Sequence, residues 1–295
     1  MIKLAILGAE NSHAWGFAPV LAPKDGEKKF PDVELLGVYA DLNEYESDIG
    51  LDYIKENSTC KVFADHYNDF LEEADAVMVT ARKGKDHFKY AKSYIEKGIP
   101  VWIDKPTTCD TDELVEMYEY AQKHGAILSG GSSLEYAAEV QRLAEAVRKS
   151  DKPVLGGHVT APVDMENEYG GFWFYTQHLV QMITTVFGCD VKSVRAEKTP
   201  LGVNARYRYE NFDVTAFFGT SYSVTVYLEE WNVDATAFQL TADYFMPELV
   251  SFYNVIKSGK ADKTRKEYMT PVFMLDATIR SYNEDREVEI AVPQD

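Results

Sequence analysis

The chain has 295 residues and a net charge of −18, with 45% hydrophobic and 13% aromatic residues. This hydrophobic content excludes a disordered acidic chain, and the length suits about two domains. The negative balance excludes non-specific attraction to nucleic acid or an anionic membrane surface, and leaves room for an anionic small molecule in a local basic pocket.

In chain order, the first 130 residues alternate short apolar runs with helical periodicity. Strands are predicted at Ile2–Leu7, Val33–Ala40, Cys60–Ala64, Ala76–Thr80, Val101–Asp104 and Ile127–Ser129. Helices are predicted between them at His13–Leu21, Glu44–Glu56, Tyr67–Glu73, His87–Lys97 and Thr111–His124. A run such as Ala76-Val77-Met78-Val79 is apolar on both faces, as a parallel strand covered by helices on each side requires. Six such strands fit an α/β, Rossmann-type doubly wound sheet of order 3-2-1-4-5-6. From about residue 131 the period changes. A helix at Leu134–Lys149 leads into an extended run, Pro153–Pro162, and an aromatic, Gly-rich loop opens a helix that ends near Gly188. Runs at Lys192–Thr199, Val203–Tyr209, Val214–Phe218, Val224–Trp231 and Ala235–Ala242 then alternate as strands. No helix separates them, so a large, mostly antiparallel sheet is expected. Helices at Pro247–Ser258 and Thr270–Ser281 and a strand at Glu287–Val292 close the chain. The division predicts a dinucleotide-binding domain over 1–130 and a substrate-binding and oligomerisation domain over 131–295.

The turn after the first strand is where a dinucleotide fold receives a pyrophosphate, because the free N–H groups and dipole of the following helix favour anions. The usual GxGxxG positions are Gly8, Glu10 and His13. Glu10 puts a carboxylate where backbone must approach phosphate. Asn11, Ser12 and His13 offer side-chain donors or a helix cap instead. Asp41 ends the second strand, 33 residues beyond Gly8, after an insertion at Ala22–Pro31. An acidic residue there accepts the ribose hydroxyls and favours NAD over NADP. Thr80 ends the fourth strand. Arg82-Lys83-Gly84-Lys85 follows it and reads either as an anion clamp at the carboxyl end of the sheet or as a solvated loop tip. Asp104-Lys105-Pro106 ends the fifth strand, where a desolvated Lys can exchange a proton at neutral pH.

At these residues the chain resembles the Gfo/Idh/MocA family of nicotinamide-dependent oxidoreductases. Members carry Glu-Lys-Pro at the end of the fifth strand, and Asp104-Lys105-Pro106 is similar with Asp for Glu. Val38-Tyr39-Ala40-Asp41, the Asp75–Thr80 segment followed by His87, and Ile95–Val101 agree in order and spacing. So do His178-Leu179-Val180 with Phe187-Gly188, and the closing Arg280-Ser281-Tyr282 and Val288-Glu289-Ile290. The resemblance implies NAD or NADP as cofactor and hydride exchange with a sugar, polyol or related hydroxy compound. It implies Lys105 and His178 as catalytic residues and a second-domain sheet that joins copies into a homodimer or homotetramer. Gly8, Ser12, His13, Asp41, Thr80, Arg82, Asp104, Lys105 and Pro106 would line the cofactor crevice. The family's Asp four residues before the His is Phe174 here, and Leu134 and Glu135 stand where an Arg is usual. Tyr169, Trp173 and Tyr175, at the start of the His178 helix, are expected to touch substrate. The departures motivate a second reading, a ligand-sensing or regulatory protein that keeps the fold without turnover.

Cys60, Cys109 and Cys189 form no ligand pattern, and His66, His87, His124 and His158 form no close pair, so no metal is expected. The first apolar run is too short for a signal-peptide core, and no run approaches a membrane span. A cytoplasmic protein with reduced thiols follows.

Overall fold

A computed structural model describes residues 1–42, 49–219, 221–229, 233–239 and 244–293. The chain divides into two units. The first comprises Met1–Thr108, Asp112–Gly130 and Phe245–Asp262, and the second Cys109–Thr111, Gly131–Tyr244 and Lys263–Asp295.

The first unit carries strands β1 (Ile2–Leu7), β2 (Val33–Tyr39), β3 (Phe63–Ala64), β4 (Ala76–Val79), β5 (Val101–Asp104) and β6 (Leu128–Gly131). They form one sheet of order β3-β2-β1-β4-β5-β6, the order expected from the sequence, and β1 to β5 pair in parallel. All four residues of β4 are inaccessible to solvent, as its two-sided apolar pattern demands. Helices α1 (Ser12–Leu21), α2 (Ile49–Asn57), α3 (His87–Glu96) and α4 (Thr111–His124) connect the strands. The first part of the predicted Glu44–Glu56 helix lies outside the described residues.

Two expectations change in this unit. The segment Tyr67–Glu73 is a run of turns, not a helix. The amides of Asp69, Leu71 and Glu73 bond back only three residues, and the Asp69 carboxylate takes the N–H groups of Asp65 and His66. That local side-chain competition favours turns over helix. Helix α7 (Phe245–Ser258) belongs to this unit, although the sequence pattern placed it with everything after residue 131. Its apolar stripe Leu249, Phe252 and Val255 enters the core formed by Leu4, Leu21, Phe30 and Val33. Tyr253 and Lys257 on the same helix bind Asp32, just before β2.

The second unit holds a seven-stranded sheet of order β12-β11-β7-β10-β9-β8-β13. Its strands are β7 (Val154–Pro162), β8 (Ser193–Thr199), β9 (Gly202–Arg208), β10 (Asp213–Gly219), β11 (Tyr222–Leu228), β12 (Val233–Phe238) and β13 (Val288–Glu289). The pairing β7–β10 is parallel and the others are antiparallel. The ends predicted for β11 and β12, at Trp231 and Ala242, lie outside the described residues. Alternation sorts the two faces: in β9, Val203, Ala205 and Tyr207 are buried, while Asn204, Arg206 and Arg208 are exposed. Helices α5 (Ala138–Lys149), α6 (Phe172–Phe187) and α8 (Arg265–Glu284) supply the residues that pack on the apolar face. The predicted Leu134–Lys149 helix is interrupted. A 3₁₀ turn at Ser133–Tyr136 precedes α5, and Ala137 between them is extended. Helix α8 starts earlier than its apolar period suggests, because Thr264 and Glu267 form a capping box. Among the described residues, no helix is long and apolar enough to cross a membrane.

Candidate functional site

In the first unit the ends of β1, β4 and β5 converge. Gly8 has φ +113, and a Cβ there would sit 2.2 Å from the Ala81 nitrogen, so only glycine lets these two strand ends approach. The N–H groups of Gly8 and Ala9 both donate to the Tyr39 carbonyl, at 2.8 and 2.7 Å. Thr80 is buried, and its hydroxyl donates to the Gly8 carbonyl at 3.0 Å. It thus braces the turn from below.

Asn11 caps α1, its Oδ1 accepting the His13 N–H at 3.5 Å. Its Nδ2 donates to Asp104 Oδ2 at 3.1 Å, and His13 Nδ1 lies 2.8 Å from the same oxygen. The other Asp104 oxygen accepts the Lys105 N–H at 2.6 Å. Burial by itself would raise the Asp104 pKa, but the charge and hydrogen bond of His13, aided by Lys105, hold it below the usual carboxylate value. Asn11, and His13 at the third glycine position, thereby tie the turn after β1 to the end of β5. Ser12 is exposed at the head of α1, and no acidic residue occupies the first turn of that helix, so its positive end is open to an anion.

Lys105 is 4% exposed. Desolvation lowers its pKa from the ordinary lysine value, against the opposing charges of Asp104 and Glu248. Glu248 is wholly buried on α7. One turn earlier, Phe245 packs edge-on against His13 at 5.1 Å. Nothing local in the chain links α7 to the end of β5, so Glu248 is not legible in the sequence as a neighbour of this site. Pro106, next to Lys105, is buried.

Glu10 is also buried. Its Oε1 accepts the Arg82 N–H at 3.1 Å, and the Arg82 guanidinium donates to the Glu10 carbonyl. The residue expected to repel phosphate is therefore fastened to the loop after β4, and the residue expected to clamp an anion holds it there. Burial pushes the Glu10 carboxyl up to about 7, against the Arg82 and Asp41 amides and the Arg82 charge. Asp41 is half-buried and accepts a hydrogen bond from Tyr90 at 3.4 Å.

His87, fully buried at the head of α3, spans two loops. Its Nε2 lies 2.8 Å from the Ala81 carbonyl and its Nδ1 3.2 Å from that of Thr107. Burial depresses its pKa, against the two carbonyl contacts and the charge of Asp104, and a neutral ring can donate to only one of the two carbonyls. His87→Ala is expected to lower stability by about 2–4 kcal/mol, from the cavity and the stranded carbonyl. Urea unfolding checks this, and a loss below about 1 kcal/mol would show that the bridge adds little.

In the second unit, His178 on α6 is buried, with Nδ1 2.6 Å from Ser132 Oγ. Phe174, at the position of the expected acid, is buried and packs on Tyr169 and Tyr175 at ring distances of 5.5 and 4.7 Å. Ser132 is therefore a hydrogen-bond partner of the histidine, a role hidden in the sequence because the two lie 46 residues apart. Glu135 binds Lys263 at 3.1 Å and accepts from Gln181 at 3.0 Å. Tyr169, Trp173 and Tyr175 are all half-buried. Tyr175 lies 6.2 Å from the His178 ring, and Trp173 packs against the core of this unit.

Residues 2–132 match the GFO_IDH_MocA family model, described as "Oxidoreductase family, NAD-binding Rossmann fold". No curated protein matches the chain by sequence. Among solved structures it is similar to myo-inositol 2-dehydrogenase from Lactobacillus plantarum, at 16% identity and a TM-score of 0.82, over 98% of this chain and 99% of that one. It is also similar to a myo-inositol dehydrogenase from Corynebacterium glutamicum, at 13% identity and a TM-score of 0.80, over 100% of both chains. A third is the WlbA dehydrogenase from Chromobacterium violaceum in complex with NADH and UDP-GlcNAcA, at 18% identity and a TM-score of 0.75, over 99% and 97%. At such identities the likeness establishes the shared fold.

Proposed function

With residues 2–132 matching the family model described as "Oxidoreductase family, NAD-binding Rossmann fold", we propose that the protein is a Gfo/Idh/MocA oxidoreductase, an NAD(P)-dependent dehydrogenase of a sugar, polyol or related hydroxy compound. The observation that carries this reading is the buried Lys105 at the end of β5, set beside Asp104 and Glu248 and joined through Asp104 to the turn at Gly8. The residues present fit a dinucleotide. Gly8 provides the close approach, α1 opens without an acid, Asp41 ends β2, and the Glu10 carboxyl is turned onto the Arg82 amide. The structural neighbours include inositol dehydrogenases and an NADH-bound dehydrogenase, which accords with this chemistry.

Ser12 and His13 would meet the pyrophosphate and Asp41 the adenosine ribose, with Thr80, Arg82, Asp104 and Pro106 shaping the crevice. The bound nicotinamide supplies the hydride acceptor or donor. Lys105 takes the hydroxyl proton during oxidation and returns it during reduction, a task suited to a lysine whose pKa burial has lowered. In the second unit His178 would be a catalytic residue, and Tyr169, Trp173 and Tyr175 would provide ring faces for a sugar. We place the protein in the cytoplasm. The polar face of the second sheet, with His158, Arg195, Arg206 and Thr215, would meet a second copy in a homodimer or homotetramer.

Fluorescence titration with NAD, NADH, NADP and NADPH tests the reading. NAD(H) is expected to bind better than NADP(H), and Asp41→Ala is expected to shrink that preference by about tenfold, the value of a charge-assisted contact to the ribose. Failure of all four to bind at millimolar concentration would remove the dehydrogenase reading. Binding without turnover on a panel of sugars and polyols would favour the ligand-sensing one.

A further inference from the structure

Resting on the reading of His178 as a substrate-contacting residue, we infer that Ser132 is a positioning residue that holds His178 in the tautomer protonated at Nε2. His178 then presents an N–H to the substrate at Nε2 and not a lone pair. This reverses the arrangement a carboxylate partner would impose.

The argument is one of hydrogen-bond capacity. Ser132 is completely buried at the end of β6. Its Oγ caps the 3₁₀ turn by accepting the Leu134 N–H at 3.2 Å. A serine hydroxyl carries one hydrogen, and a buried hydroxyl hydrogen needs an acceptor. The Leu134 amide can only donate. His178 Nδ1, 2.6 Å away, is the acceptor that remains among the described residues. The O–H therefore points at Nδ1, that nitrogen carries a lone pair, and the proton of the neutral ring sits on Nε2. A carboxylate at Nδ1 would instead accept from Nδ1–H and leave Nε2 as a base. Phe174 has no acceptor to offer. Two tyrosine rings also lie near the imidazole. Tyr175 lies on the same helix at 6.2 Å and Tyr222 on β11 edge-on at 6.3 Å. The nearby Glu135 on the Ser132 turn is engaged by Lys263 and Gln181.

The tautomer can be read in the full-length protein labelled with ¹⁵N-histidine, by long-range ¹H–¹⁵N correlation. The His178 signals are identified among the six histidines by their loss in His178→Gln. Wild type and Ser132→Thr, which keeps the hydroxyl, are expected to show protonated Nε2 and unprotonated Nδ1 at pH 7 to 8. Ser132→Ala is expected to mix the tautomers and to lose about tenfold in kcat, the worth of one hydrogen bond. Ser132→Asp is expected to move the proton to Nδ1 and to add an ionisation to the kcat/KM profile. A wild-type ring protonated at Nδ1, or a tautomer unchanged in Ser132→Ala, would overturn the inference. The spectrum needs neither cofactor nor turnover, so it stands or falls separately from the dehydrogenase reading. If Ser132→Ala does not fold, Ser132→Thr and Ser132→Asp still decide it.

Discussion

Lys105→Met is expected to lower kcat for the hydroxy substrate by about 10²–10⁴-fold, the range over which a positioned acid–base group accelerates proton transfer. Methionine keeps the length and apolar stem of lysine and removes the charge. The buried carboxylates of Asp104 and Glu248 then lose a positive neighbour. Asp104 retains Asn11 and His13, so the turn after β1, proposed to hold the cofactor, is expected to survive. NAD(H) affinity within about threefold of wild type would separate loss of chemistry from loss of binding. Lys105→Arg keeps the charge but stays protonated at all working pH, and it should be nearly as impaired. In the wild type, burial lowers the lysine pKa, so the neutral base becomes available at a lower pH than for a solvated lysine. Oxidation should accelerate as pH rises through that pKa, and reduction, which needs the protonated form, should slow. Turnover in Lys105→Met within threefold of wild type would take Lys105 out of the mechanism.

Glu10→Gln is expected to stabilise the protein above pH 7 and to leave it nearly unchanged near pH 4.5. Burial raises the carboxyl from 4.5 in the unfolded chain to about 7 in the fold. Between those values the folded state holds a proton that the unfolded state releases, so stability falls as pH rises. At about 1.4 kcal/mol per unit, the loss reaches about 3 kcal/mol above pH 7. Glutamine keeps an oxygen for the Arg82 amide and never ionises. Urea unfolding of both proteins at pH 5 and pH 8.5 isolates the effect, because every other titrating group is common to both. The stability difference between them should grow by about 2–3 kcal/mol from the lower to the higher pH. An equal difference at both would mean that Glu10 ionises in the fold as it does in water.

Much of the first unit was legible because a parallel strand buried on both faces leaves a continuous apolar run, as in Ala76–Val79, and because six such runs separated by helical spacing have few ways to pair. Lys105 was legible for a similar reason: it closes the β5 run, and the carboxyl ends of such strands meet ligands. Helix α7 was recognisable as a helix but not as part of the first unit. Its stripe of Leu249, Phe252 and Val255 shows that it buries one face, and many apolar surfaces would satisfy that face. Tyr67–Glu73 was misread because its composition permits a helix, while the Asp69 carboxylate settles the backbone into turns. His178 was found from its register, whereas its partner Ser132 lies on a different element and carries no local signal.

The sequence by itself determined the α/β class, the strand order of the first unit and the change to a mostly antiparallel sheet after residue 131. These follow from periodicity, which is a property of neighbours along the chain. Only the tertiary structure decided that Glu10 is buried against Arg82, that Asn11 and His13 bind Asp104, that the charge of Glu248 acts on Lys105, and that Ser132 hydrogen-bonds His178. Charge state and tautomer depend on desolvation and on which groups come within hydrogen-bond reach. Those are set by the packing of elements distant in sequence, so the same acidic chain holds in its interior a carboxyl whose pKa burial raises and a lysine whose pKa burial lowers.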